Sequence, residues 1–155
     1  MFLTVHSAVG VALSRGLSLN PFASFVVGLA AHYAADAVPH GDDALGAEAD
    51  KLNHRQMVLR YFIAAAIDGA VLLAFLTYVW IRRGITWPEI AAVAGSCLPD
   101  VLYGLHKAFG WRLLKPHADF HHRVHNYFKI KLPTWFGFVG QGAAAVLIWV
   151  FVVAG

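Results

Sequence analysis

An all-α fold, a polytopic membrane bundle of about five spans, follows from three observations on this 155-residue chain. Its residues are 59% hydrophobic and 14% charged, outside the usual balance of soluble domains. Several apolar runs approach the ~20 residues that a helix needs to cross a bilayer core. Pro, Gly, Asn and Arg residues punctuate those runs where helices start and stop. The length suits one domain, residues 1–155, and no linker, low-complexity stretch or nucleic-acid-binding surface interrupts it. A single cysteine, Cys97, excludes an intramolecular disulfide and a Cys-rich zinc site.

Residues 2–14 form a short first span. They lack a basic leader and carry His6, so they read as a retained helix and not as a cleaved signal. Residues 21–38 are the second span, opened by Asn20-Pro21 and closed by Pro39 and Gly41. Residues 61–81 are the third, ended by Arg82, Arg83 and Gly84. Residues 87–105 are the fourth, with Thr86 as N-cap and Pro88 in the first turn. The fifth, residues 135–154, is the most uniformly apolar, and Gly137, Gly140 and Gly142 predict close packing there. Before it, residues 116–129 predict an amphipathic interfacial helix. Phe120, Val124 and Phe128 recur at i, i+4 and i+8 beside a stripe of His117, His121 and His125. Lys115, Arg123, Lys129 and Lys131 suit it to anionic headgroups. Trp80, Trp87 and Trp135 stand at span ends, where amphipathic rings belong.

Spans that alternate in direction sort the connections onto two sides. Lys51, Arg55, Arg60, Lys107, Arg112, Lys115, Arg123, Lys129 and Lys131 fall on one side, and only Arg15, Arg82 and Arg83 on the other. The positive-inside rule makes the first side cytoplasmic, in a prokaryotic plasma membrane.

The nine histidines are the compositional anomaly. On the span map His6, His32, Asp36, Asp68 and Asp100 fall toward the cytoplasmic side, with His40, His106 and the histidines of residues 116–129 just outside it. An intramembrane aspartate costs roughly 2.5–3.5 kcal/mol on insertion scales, so three of them demand cations, protons or partners. Histidine and carboxylate together suit a divalent metal, zinc foremost, with manganese or iron as alternatives. His32 and Asp36, at i and i+4, share one helical face, although such a pair also serves as a plain hydrogen bond in a helix interface. The expected ligand set is His6, His32, Asp36, His40, Asp68, Asp100, His122 and His125. Asp36, Asp68 and Asp100 are the candidate catalytic carboxylates, and Arg123 the candidate phosphate-binding residue. Asp42 and Asp43 are weaker outer candidates. His54 reads as surface.

His6, Leu98-Pro99-Asp100 and His122-Arg123-Val124-His125-Asn126 resemble motifs of the membrane-bound metal-dependent hydrolase family. In this chain Leu102 and Tyr103 stand where that family carries a second Asp and a His, and the last motif is one residue shorter. His32-Tyr33-Ala34-Ala35-Asp36 through Pro39-His40 is similar to a stretch of the zinc-dependent phospholipase C and single-strand nuclease superfamily, whose members are all-α phosphoesterases. The resemblance implies a metal-dependent hydrolase. The depth of the site adds a lipid or lipid-linked phosphate as the expected substrate, with membrane lipids as partners. A divalent-metal transporter and a non-catalytic membrane scaffold are the competing expectations. The ligand candidates gather at one face, whereas transport sites lie near the midplane.

Overall fold

The computed structural model describes residues 2–40, 51–128, 130 and 132–154. Among them the secondary structure is entirely helical: α1 (Leu3–Gly16), α2 (Pro21–Ala37), α3 (His54–Arg83), α4 (Trp87–Phe109), a 3-10 turn (Arg112–Leu114), α5 (Lys115–His125) and α6 (Thr134–Ala154). Asp42, Asp43, Lys129 and Lys131 lie outside the described residues.

Helix ends depart from the apolar runs wherever polar residues continue or cap a helix. α3 begins at His54 and not at residue 61, because Asn53 and Gln56 form a capping box: each side chain bonds the other's backbone N–H. Thr86 and Glu89 open α4 in the same way, and Gly110, at φ 66°, closes it past residue 105. Asn20 Oδ1 accepts from Ala23 N at the start of α2.

Among the described residues two helices, His54–Arg83 and Trp135–Val152, are long and apolar enough to cross a membrane, against the five that the sequence predicts. α1 and α2 have only 14 and 17 residues, and Glu89, Pro99 and Asp100 interrupt the 23-residue α4. The helices that fall short are those carrying His6, His32, Asp36 and Asp100.

The central element is α1, which packs against α2, α3, α4 and α6. With α3 and α6 it makes an apolar core of Val5, Ala8, Val11, Leu72, Val79, Ala145, Trp149 and Val152. Phe75 stacks on Trp149 there, ring centroids 5.2 Å apart. With α2 and α4 the packing is backbone to backbone. A Cβ on Gly95 would overlap the Phe25 carbonyl, and one on Gly28 the Ala92 carbonyl. One on Gly10 would meet Ser96 Oγ. By contrast, a Cβ on Gly140 or Gly142 meets nothing, so these α6 glycines are not the close contacts that their spacing predicts. The glycines shown to make close backbone contacts are on α1, α2 and α4.

Both ends of the bundle are tied by polar groups. At one end buried Glu89 receives Arg83 Nη2 at 2.8 Å, Arg15 Nη1 at 3.3 Å and Thr86 N at 2.8 Å. Arg83 also donates to the Val152 carbonyl at 3.2 Å, joining α6 to the same knot. At the other end the first N–H groups of α1, which no helix of their own can satisfy, find partners elsewhere. Asp68 accepts from Leu3 N, from Thr4 N at 3.3 Å and from Thr4 Oγ1 at 2.6 Å. Gln141 Oε1 accepts from Phe2 N at 2.8 Å, and Gln141 Nε2 donates to the His40 carbonyl at 2.9 Å.

Because a carbonyl cannot rotate away as a side chain can, Gly95→Ala and Gly28→Ala should each force α2 and α4 apart. Each is expected to lower stability by about 1–3 kcal/mol, read as a fall in the thermal unfolding midpoint. Gly140→Ala should leave the midpoint within experimental scatter or raise it.

Candidate metal centre

Asp36, fully buried near the end of α2, is the centre of the site. Its Oδ1 lies 3.0 Å from His6 Nε2. Its Oδ2 lies 3.0 Å from His32 Nε2, 3.2 Å from His121 Nε2 and 2.9 Å from His125 Nε2. Four imidazoles from α1, α2 and α5 therefore converge on one carboxylate. Asp100, on α4, adds Oδ1 at 3.3 Å from His121 Nε2 and at 4.0 Å from His32 Nε2. Its Oδ2 is 3.9 Å from His6 Nε2, and at 24% side-chain exposure it is the carboxylate through which the cluster reaches the outside.

A cluster with these spacings could hold a metal ion. With bonds of about 2.0 Å, adjacent donors of a tetrahedral zinc site are about 3.3 Å apart. The two imidazoles, of His32 and His121, lie 3.0 to 4.0 Å from Asp36 Oδ2 and Asp100 Oδ1, and His32 Nε2 and His121 Nε2 are 3.2 Å apart. The donor atoms of this quartet all lie within 4.8 Å of one another, as do those of a second set, Asp36, His40 and His125. Asp36 belongs to both.

Tautomers sharpen the argument. His32 Nδ1 sits 2.8 Å from the Ser96 carbonyl, which can only accept, so Nδ1 carries the proton. In the neutral ring, Nε2 then points a lone pair at Asp36 and His121. His40 Nδ1, 2.6 Å from the Val38 carbonyl, is held the same way. An imidazole whose far nitrogen donates to a carbonyl is the usual outer-shell arrangement of a metal-bound histidine. Pro99, inside α4, has no N–H to give to the backbone ladder beside the Ser96 carbonyl. His6 Nδ1 and Nε2 are buried, and neither meets hydrogen-bonding geometry despite the close approach to Asp36.

The expected ligands divide clearly. His6, His32, Asp36, Asp100 and His125 are brought together, and His40 joins through the second set. Asp68 is elsewhere, its carboxylate engaged by the N-terminus of α1, where it orients the helix that carries His6. His122 is exposed, with its carbonyl accepting from Asn126 Nδ2 at 2.9 Å. His121 takes the place expected for His122, because the face of α5 turned into the bundle carries His121 and Ala118. The 117, 121, 125 spacing held that information, whereas the short motif resemblance pointed to His122. Arg123 is exposed and lies two residues, about 200°, round the helix from His121, so it does not reach the ion cluster. Tyr103, at the position where the resembled motif has histidine, stacks on His121 at 4.9 Å between centroids. Tyr33 Oη meets His117 Nε2 at 3.1 Å, and burial together with the neighbouring His121 holds His117 below the ordinary imidazole range.

Burial alone would depress His121 as well, but its contacts with Asp100 and Asp36 outweigh that and raise its pKa to about 9. In the metal-free protein, the stabilisation from this proton is therefore complete below about pH 6.5 and disappears as pH rises through about 9.

No family model, curated protein or solved structure matches this chain. The family expectation accordingly rests on the short motifs alone.

Metal and proton compete for His121 Nε2. Divalent-ion binding at pH 7 should release about one proton, with apparent affinity rising about tenfold per pH unit up to about pH 9. Calorimetric titration in buffers of different ionisation enthalpy reads the proton count directly. An affinity independent of pH between 6 and 8, a range chosen to lie roughly below that pKa, would remove His121 from the ligand set.

Proposed function

We propose that this chain is a membrane-embedded, metal-dependent hydrolase of phosphoesters whose ion sits among His6, His32, Asp36, Asp100, His121 and His125. The carrying observation is the convergence of four imidazole nitrogens on buried Asp36 at 2.9 to 3.2 Å. Two carboxylates and neutral imidazoles offer a divalent ion its charge balance and its donor types. Zinc suits the donors best. Asp36 belongs to both ligand sets, so it is the residue on which any bound ion would depend most.

The membrane part of the reading is supported by how the apolar helices are packed. Only 11% of the apolar window of α3 and 28% of that of α6 is buried inside the chain, whereas a core helix of a soluble protein is mostly covered. The uncovered surface suits acyl chains. Basic residues concentrate at the cluster end, which favours that end as the cytoplasmic one.

A bound divalent ion would lower the pKa of its water and polarise the phosphoryl oxygen. The protein's own share of the reaction falls to named groups. Asp36 and the imidazoles hold the charge in place. Asp100, the partly exposed carboxylate, is the candidate to take the proton of the attacking water. A phosphoester reaching the end of a bundle from the leaflet would be a lipid or lipid-linked one.

Metal-dependent release of phosphate from lipid phosphates tests the reading. Asp36→Asn and His32→Ala should each lose bound metal, measured by elemental analysis of the purified protein. Asp100→Asn should bind metal more weakly, and at saturating metal its phosphate release should still fall roughly 10²–10⁴-fold. Full metal loading without turnover under zinc, manganese or iron would leave a metal-binding membrane protein and overturn the hydrolase.

A further inference from the structure

The surface of α5 opposite the metal cluster forms a second polar site. Lys115, Asp119 and Arg123 recur at i, i+4 and i+8, one stripe about 200° round the helix from His117, His121 and His125. Together with Arg112 of the 3-10 turn, Pro116 and Phe120, they line an open cavity of about 460 Å³. Lys115 Nζ meets the two oxygens of Asp119 at 2.9 and 2.7 Å. Three cationic side chains thus face one carboxylate, and the balance of the cavity is positive. Its surroundings are apolar and outward-facing: Trp111 is 52% exposed, Leu113 89% and Phe120 49%.

We propose that this cavity holds the headgroup phosphate of an anionic phospholipid, with Arg112 and Arg123 on the phosphate oxygens and Trp111, Leu113 and Phe120 in the headgroup–acyl boundary. A guanidinium presents a planar fork of donors that matches phosphate oxygens. A soluble phosphate would satisfy the arginines but leave Leu113 and Trp111 in water. A lipid covers both kinds of surface at once, as interfacial helices with one basic and one apolar surface require. The lipid is a docking partner here and not the substrate, because its site and the metal cluster lie on opposite faces of α5. The proposal rests on the membrane part of the function proposed above and is independent of catalysis.

The experiment uses the full chain in nanodiscs containing equal amounts of phosphatidylcholine and phosphatidylglycerol, with retained lipids counted by native mass spectrometry. The wild type should retain phosphatidylglycerol in clear excess. Arg112→Gln with Arg123→Gln should weaken that retention roughly thirtyfold, at the affinity expected for each basic residue near an anionic surface. Asp119→Asn removes a like charge and releases Lys115, so it should strengthen retention about fivefold, a gain that misfolding cannot produce. Metal content should be unchanged in all three proteins. Retention of the two lipids in proportion to supply, or an unaltered preference in the double variant, overturns the lipid site alone. Displacement of phosphatidylglycerol by excess inorganic phosphate would reassign the cavity to a soluble anion. A wild type that does not insert into pure phosphatidylcholine vesicles would overturn the membrane reading together with this one.

Discussion

Asp36 is a carboxylate with no exposure to solvent, and its compensation organises the molecule. Burying an ionised carboxylate without compensation is so costly that the group would rather take up a proton. Its neighbours His6, His32, His121 and His125 belong to three different helices, so the centre can form only when α1, α2 and α5 are docked correctly. The rest of the fold serves that docking. Asp68 and Gln141 hold the N-terminus of α1, one turn before His6. The Gly28 and Gly95 contacts draw α2 and α4 together until the Ser96 carbonyl reaches His32 Nδ1.

The opposite end handles a buried acid differently. Glu89 is equally covered, and there two guanidiniums and the Thr86 backbone meet it. Arginine is a permanent cation with fixed donors, which makes a static tie between α1, α3 and α4. Imidazole is a neutral donor of lone pairs or a carrier of one proton, which makes an exchangeable site. The two ends thus use buried carboxylates differently, one to lock helices and one within a His/Asp cluster that could hold a metal ion.

The same contrast divides the helices. α3 and α6 contribute apolar surface and Trp149, Leu72 and Val79 to the core, and give the site Gln141 and Asp68 only as supports. α1, α2 and α4 give up apolar length to carry the site. α5 has one face in the cluster and the other in a basic cavity, so it joins the two.

Much of this was written in the residues themselves. Apolar runs broken by Pro, Gly and Arg determine an all-helical chain, because helix propensity and capping are local. The alternation of those runs brings His6, His32, Asp36 and Asp100 to one end, since depth along a helix follows from residue count. What depended on tertiary structure was direction around the helix and the choice among equivalent polar groups. Asp68 has the right depth but points to the N-terminus of α1, whose unpaired N–H groups compete for it. His121 and not His122 enters the cluster, because one residue turns a side chain by about 100° and only packing decides which face is inward. The polar residues of α1, α2 and α4 also weaken the hydropathy by which a span is recognised. The anomaly of nine histidines was therefore legible from composition alone, whereas the ring of nitrogens around Asp36 exists only once separate helices meet.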